Sequence, residues 1–322
     1  MKKLFCVSIA GMFFFLLTSF AFALEIKFAH VVNEKDAFHV AAEKFKELTE
    51  KSSKGEITVN IFPNAKLGDE RTLLERMKMG IVDAAIITTG PIINFVPSFG
   101  VIDLPFIFRD PDHAYKVLDG PVGQKLLVLM ETQGWKGLAF GERGFRNLTN
   151  SKRKVVTPGD IKGLKIRVMQ NPVYVDSFTA LGANAVPMAW TEVLTALQQG
   201  TVDGQENPLN VIVAFKLNEM QKYLSITRHA YAPAVILMSM KLWQKLTPAQ
   251  QALVKDAAQG AAVFERDWDN KMEAVWLKYL QAKGMMVSNP DLKLFREAAK
   301  PVYDKYTPAF GKEIIDTIIN TK

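Results

Sequence analysis

An α/β fold of two similar lobes is predicted by three observations. Strand-like and helix-like segments alternate along the chain, one short strand is apolar on both faces, and one compound pattern occurs twice, 120 residues apart. Glu25 to Val32 reads as a strand, and Ala37 to Lys51 as a helix with Ala41, Phe45 and Leu48 on one face. Glu56 to Phe62 alternates Ile57, Val59 and Ile61 as a half-buried strand does; Glu70 to Met79 is helical and Val82 to Ile87 is a short apolar strand. A strand buried on both sides belongs in a mostly parallel sheet covered by helices.

The repeated pattern runs Phe62-Pro63, helix, Met79-Gly80-Ile81-Val82-Asp83-Ala84, and again Val186-Pro187, helix, Gln199-Gly200-Thr201-Val202-Asp203-Gly204. Glycine after a helix accepts the left-handed conformation, and Val-Asp leads into the next strand. G-x-V-D alone is a common helix-to-strand connection; the flanking proline and helix turn it into a repeat. We therefore expect one lobe over 24–143 plus about 230–270, a second over 144–229 plus about 271–322, a mixed sheet in each, a cleft between them and a long bridging helix.

Composition sets outer limits. The 322 residues are 48% hydrophobic and 23% charged with 20 Gly and 15 Pro, proportions of an ordinary globular chain long enough for two domains. Forty basic against 33 acidic residues give +7, and the densest basic cluster, Lys152-Arg153-Lys154, is too short for a nucleic-acid footprint. Lys2 and Lys3 precede an apolar run from Leu4 to Leu17 that ends in Ala21-Phe22-Ala23, so residues 1–23 read as a secretory signal peptide. Its removal leaves 38 basic against 33 acidic residues, a net +5, and no cysteine, because Cys6 lies inside the signal. Thiol catalysis and thiolate metal sites are excluded from the mature chain.

In open α/β sheets ligands bind beyond the carboxyl ends of the strands, so residues at strand ends are the candidates. In Lys165-Ile166-Arg167-Val168-Met169 the alternation puts Ile166 and Val168 on one face and Arg167 on the other. A guanidinium fork matches a carboxylate with two parallel hydrogen bonds, which makes Arg167 an anion clamp; the competing reading is a solvated strand arginine. Asn207 follows the strand Val202 to Glu206 and either contacts ligand or caps the helix that Pro208 opens, and the two roles are compatible at a helix N-terminus.

Gly-Leu-Lys-Ile-Arg-Val (163–168), Leu-Gly-Ala (181–183), Pro-Met-Ala-Trp-Thr-Glu-Val (187–193), Ala-Leu-Gln-Gln-Gly (196–200) and Val-Asp-Gly-Gln-Glu-Asn-Pro (202–208) resemble the substrate-binding proteins of TRAP (tripartite ATP-independent periplasmic) transporters, of the C4-dicarboxylate-binding, DctP-like type. The resemblance covers nearly the whole mature chain, including Leu67-Gly68-Asp69-Glu70-Arg71. It implies a periplasmic, two-lobed, hinge-closing receptor that holds an organic acid by the arginine at Arg167, with the family's asparagine at Asn207. A second arginine falls on Arg146, with Arg143 as the alternative three residues earlier. Trp190 would cover an apolar or ring face of the ligand, or else anchor the helix from Thr191. His30 and Glu70 stand where the family often touches ligand. Thr88 stands where sialic-acid-binding relatives place an acid, a departure that counts against a sialic acid.

Histidines 30, 39, 113 and 229 show no metal spacing, and there is no nucleophile elbow, dinucleotide or Walker loop. No metal, cofactor or nucleic acid is expected. The run from Thr247 to Lys283 reads as one long helix capped by Thr247, with Leu253, Ala257, Ala261, Phe264, Trp268, Met272 and Trp276 inward. The expected function is a monomeric, non-enzymatic periplasmic receptor. It would bind a C4-dicarboxylate, sugar acid or related anion and deliver it to the TRAP membrane permease subunits. The alternatives are a secreted α/β enzyme acting on an acidic substrate and an ABC-type binding protein.

Overall fold

The computed structural model describes residues 23–322; apart from Ala23, the expected signal peptide lies outside the described residues. The strands are β1 (Leu24–Ala29), β2 (Ile57–Phe62), β3 (Ala84–Thr88), β4 (Trp135–Asn150), β5 (Lys165–Val168), β6 (Asn184–Pro187), β7 (Gly204–Asn207), β8 (Tyr223–Ser239) and β9 (Met286–Ser288). Their order is β2-β1-β3-β8-β4-β7-β5-β6, with β9 beside β8. β2, β1 and β3 are mutually parallel and meet β8 antiparallel, while β6, β5 and β7 are parallel and meet β4 antiparallel. The mixed sheets expected in the two lobes are thus joined into one path by the antiparallel pair β4–β8.

The repeat has a physical basis. Gly80 and Gly200 both sit at positive φ, 77° and 68°, where a side chain would strain the backbone. Val82 and Val202 are buried behind them. Asp83 Oδ2 then accepts the N–H of Lys27 at 2.9 Å, and Asp203 Oδ2 accepts that of Lys165 at 2.9 Å. In each half the aspartate closes the first hydrogen bond beside the opening of the neighbouring parallel strand, which would otherwise leave its N–H unpaired.

Three apolar clusters fill the molecule. The largest takes Phe28, Phe45, Ile86 and Trp135; a second holds Ile166, Val168, Tyr174 and Phe178; a third holds Val193, Leu197, Val202 and Ile212. The long helix is Pro248–Ala282, with Thr247 and Gln250 capping each other and Pro248 in its first turn. It bridges, contributing Val254 to Ala262 to the first cluster and Trp276 and Leu280 to the third. Its inward face differs from the expected stripe: Phe264 is exposed, and Glu265, Arg266 and Asp269 are buried.

The segment 271–322 requires a correction. Trp276, Leu280, Met285 and Phe295 join the clusters of the second half, but Val302, Ile315 and Ile318 belong to the first. The last helix, Lys312–Asn320, is anchored there by its terminal carbonyls. Arg109 donates to those of Ile319 and Thr321 at 2.7 and 2.6 Å, and His113 Nε2 meets that of Ile318 at 2.8 Å. No helix of the described residues is long and apolar enough to cross a membrane.

Loss of either repeat aspartate frees one strand N–H. Asp83→Ala and Asp203→Ala are each expected to lower unfolding free energy by about 1 kcal/mol, read as a drop in urea midpoint with unchanged slope.

Candidate functional site

The carboxyl ends of the parallel strands converge from the two halves. β1 ends before His30 and β3 at Thr88; β5 carries Arg167 one residue from its end, and β7 ends at Asn207. The loops beyond them touch. Asn94 Nδ2 donates to the carbonyl of Gln170 at 2.7 Å, Asn171 Nδ2 to that of Gly90 at 3.0 Å, and Asn33 Nδ2 to that of Ala214 at 2.9 Å. Asn171 also donates to Asp103 Oδ2 at 2.7 Å and caps the helix Pro172–Ala180.

Between these loops lies a small cavity, with about 10 Å³ of free space as the halves are placed here, lined by Glu70, Arg71, Arg167, Met169, Met188 and Trp190, among others. Arg167 is 3% exposed, and its Nε and Nη2 both donate to the Met188 carbonyl at 3.0 and 2.7 Å. Its guanidinium carbon lies 5.8 Å from the centre of the Trp190 ring, which in turn packs edge-on against Phe215. Burial lowers its pKa to about 10, with Glu206 and Glu70 opposing, so it is cationic at neutral pH. Trp190 opens the helix Trp190–Gln198 and is half-buried. Glu70, first residue of the helix Glu70–Met79, accepts the N–H of Thr88 at 2.8 Å, so Thr88 stands behind Glu70. Burial raises the Glu70 pKa, opposed by the Thr88 bond and by Arg143 and Arg167.

The remaining candidates do not line this cavity. Arg146, 1% exposed, already has a carboxylate: Nε and Nη2 donate to Glu206 Oε2 and Oε1 at 2.5 and 2.8 Å, and Nη2 also reaches the Glu206 carbonyl. His229 Nε2 donates to the same Oε2 at 3.0 Å. Burial alone would raise the pKa of Glu206, but Arg146 and His229 hold it at about 2. The alternative, Arg143, donates to Asp36, and its guanidinium lies 4.2 Å from the Phe38 ring centre. Asn207 Nδ2 donates to Gln205 Oε1 at 2.5 Å. Its expected capping role is overturned: Pro208 holds the cap position of the helix Leu209–Ala214, which has no side-chain cap, because β7 continues through Asn207 paired with Asn147. His30 is fully buried, with Nε2 3.1 Å from His39 Nδ1; burial, then His39 and Arg143, push its pKa down to about 3, so it is neutral.

Sequence reasoning missed Glu206, Asn171 and the Met188 carbonyl. Glu206 lies in the Q-E-N-P string, and alternation along a strand buried on both faces gave no reason to single it out. A larger apolar groove lies elsewhere, between the segment from Pro97 and the helices Pro121–Leu129 and Lys312–Asn320, with one charge of each sign, Lys125 and Glu313. Among the described residues no group of three or more His, Cys, Asp or Glu could hold a metal ion.

The two arginines separate by what they bind. Arg146→Ala strands a buried carboxylate and is expected to lower stability by about 3 to 5 kcal/mol, whereas Arg167→Ala leaves no protein charge unpaired and should change the urea midpoint far less.

The DctP family model, bacterial extracellular solute-binding protein family 7, matches residues 28–308. A solute-binding protein of Verminephrobacter eiseniae is 45% identical over 280 residues, 87% of this chain and 84% of that one. A crystal structure of a TRAP periplasmic solute binding protein from Polaromonas sp. JS666, bound to D-erythronate, superposes with a TM-score of 0.91 at 41% identity, covering 93% of this chain and 99% of that one. The sugar acid binding protein DctPAm of Advenella mimigardefordensis, in complex with galactonate, superposes with a TM-score of 0.90 at 36% identity, covering 93% and 97%.

Proposed function

Because the chain belongs to the DctP family of bacterial extracellular solute-binding proteins, we propose that it is the periplasmic receptor of a TRAP transporter, exported by its N-terminal signal. It binds a small organic acid anion through Arg167 in the cleft between the halves and passes it to membrane permease subunits. The observation that carries this reading is a buried guanidinium, oriented by the Met188 carbonyl, with no carboxylate of the described protein within salt-bridge distance. A buried charge left unpaired is costly, and a ligand carboxylate supplies the missing partner. The organic acids bound by the Polaromonas and Advenella relatives support that ligand class.

Transport needs release as well as capture. In our reading the lobe built on β1–β3 and the lobe built on β5–β7 separate about β4 and β8, breaking the contacts Asn94–Gln170, Asn171–Gly90 and Asn33–Ala214. The groups around the cavity orient and neutralise an anion; none forms a nucleophile with its base, so the ligand leaves unchanged.

Arg167→Ala is expected to weaken binding of D-erythronate or galactonate, whichever the wild type binds tighter, by more than tenfold in calorimetry with its melting curve retained. A few kcal/mol is a large share of the roughly 8 kcal/mol of a micromolar complex. Arg167→Lys should recover little, because a point charge lacks the fork. Equal affinity in Arg167→Ala would remove the clamp.

Closure has its own readout. Small-angle scattering at saturating ligand should give a smaller radius of gyration than the free protein, with the ligand recovered chemically intact. An unchanged radius would refute the hinge, and ligand turnover would favour an enzyme.

A further inference from the structure

We propose that Glu70 sets the charge of the ligand: the cleft accepts a hydroxylated monocarboxylate and rejects the corresponding dicarboxylate. The inference rests on Arg167 as the anion clamp and deepens that reading from an organic acid to one charge class.

The argument is a charge census of the cleft. Arg143 is bound to Asp36 and Arg146 to Glu206, so neither has a charge free for a ligand. Arg167 is the buried cation facing the cavity. Glu70 lines the same small cavity, and no Lys, Arg or His of the described residues lies within salt-bridge distance of it. Its Oε1 is held by the N–H of Thr88 at 2.8 Å, which fixes the carboxyl in place rather than leaving it to swing into solvent. Asp69 and Arg71, one charge of each sign, also line it, and Arg71 is exposed, where solvent weakens its field.

A ligand whose first carboxylate lies on Arg167 therefore projects its remaining groups toward an acid. A hydroxyl there donates a charge-assisted hydrogen bond to Glu70. A second carboxylate instead meets a like charge in a space too small for both to keep their water, and one of the two must take up a proton or the acid must stay out. Burial already disfavours the ionised form of Glu70, and the nearby arginines and the Thr88 bond work against that tendency. A further anion adds to the burial side of that balance.

Matched pairs of acids isolate the effect. Oxidation of the terminal CH2OH of D-erythronate gives meso-tartrate, and of D-galactonate gives galactarate, so each pair differs by one terminal carboxylate at constant chain length and internal hydroxyl pattern. Calorimetry on the wild-type protein at neutral pH should give at least 100-fold tighter binding of the monoacid in one pair or both. Glu70→Gln keeps size and an acceptor for the Thr88 N–H while removing the charge, and should shrink that ratio at least tenfold, partly through tighter binding of the diacid. Glu70→Asp, which keeps the charge, should preserve the preference for the monoacid, and melting curves check that each variant is folded.

A wild-type protein that binds the diacid as well as its monoacid overturns the proposal, as does a folded Glu70→Gln variant with an unchanged ratio. If none of the four acids binds, the hydroxy-acid class falls while Arg167 stays open to other anions. If Arg167→Ala binds the monoacid as the wild type does, it is the clamp, and with it the receptor geometry, that fails.

Discussion

The antiparallel pairing of β4 with β8 is the constraint on which everything else hangs. Neither half of the molecule completes its sheet alone, because β8 closes the sheet of the first half and β4 that of the second, and the two bond to each other along most of their length. Each strand also changes cores along its course. β4 places Trp135 and Phe140 in the first cluster and Leu148 in the second, while β8 runs from Leu224 in the third through Ala230 in the second to Met238 in the first. The closure proposed above would have to bend both of these strands, and a strand gives most readily where its ladder is interrupted. Register shifts fall between Gly137 and Ala139, Glu142 and Gly144, and Arg146 and Leu148. Interruptions of this kind bend a strand and redirect its side chains.

The arginines of β4 sit at those interruptions. An ordered ladder would have alternated Arg143 and Arg146 onto opposite faces and left their charges to whatever lay there. Instead Arg143 reaches Asp36 at the start of the helix Ala37–Ser52, and Arg146 reaches Glu206 on β7. Each cation is neutralised by an element packed beside the strand, so the pairs fasten neighbouring elements to the crossing strands, and breaking one would leave a charge without solvent. Arg167 is held differently. It is oriented by a carbonyl dipole, which fixes direction without cancelling charge. That difference, pairing against orientation, separates the arginines that fasten the fold from the one we propose as the ligand's clamp, and burial alone does not reveal it.

What was legible in the sequence follows the range of the interactions. The G-x-V-D repeat, the Thr247 cap and the inward placement of Ile166 and Val168 are local, set by backbone conformation and by neighbours a few residues away, and a pattern along the chain carries them. Arg167 lines the cavity from near a strand end, where the strands of an open α/β sheet gather, whereas Glu70 and Trp190 open helices and only the family resemblance singles them out. The partner of Arg146 is sixty residues away, and nothing in the spacing of Arg146 and Glu206 declares their contact. The docking of the terminal helix on the first half is silent in the sequence for the same reason: its anchors, Arg109 and His113, lie some two hundred residues upstream. Asn207 failed as a cap because its strand pairing with Asn147, a tertiary fact, outweighed a good local capping sequence.

The polar inward face of the long helix has a cause in the sheet. Periodicity predicted an apolar stripe through Phe264 and Trp268, yet the middle of the helix turns Glu265, Arg266 and Asp269 inward. They face the part of β4 where the ladder breaks. The register shift at Glu142 leaves its N–H without a strand acceptor, and Glu265 Oε2 accepts it at 2.8 Å. Arg266 donates to the carbonyl of Phe140 at 2.7 Å, and Asp269 accepts from Asn210 Nδ2 at 2.6 Å, where the helix Leu209–Ala214 passes. Burial, reinforced by the neighbouring carboxylates, raises the pKa of Glu265 and Asp269, a cost that an apolar residue would avoid. An apolar residue at 265 or 266 would also remove the side chain that bonds the buried Glu142 N–H or the Phe140 carbonyl. The polar middle of the helix is therefore the complement of the irregular strand, and apolar periodicity on one element cannot register a demand that originates in another.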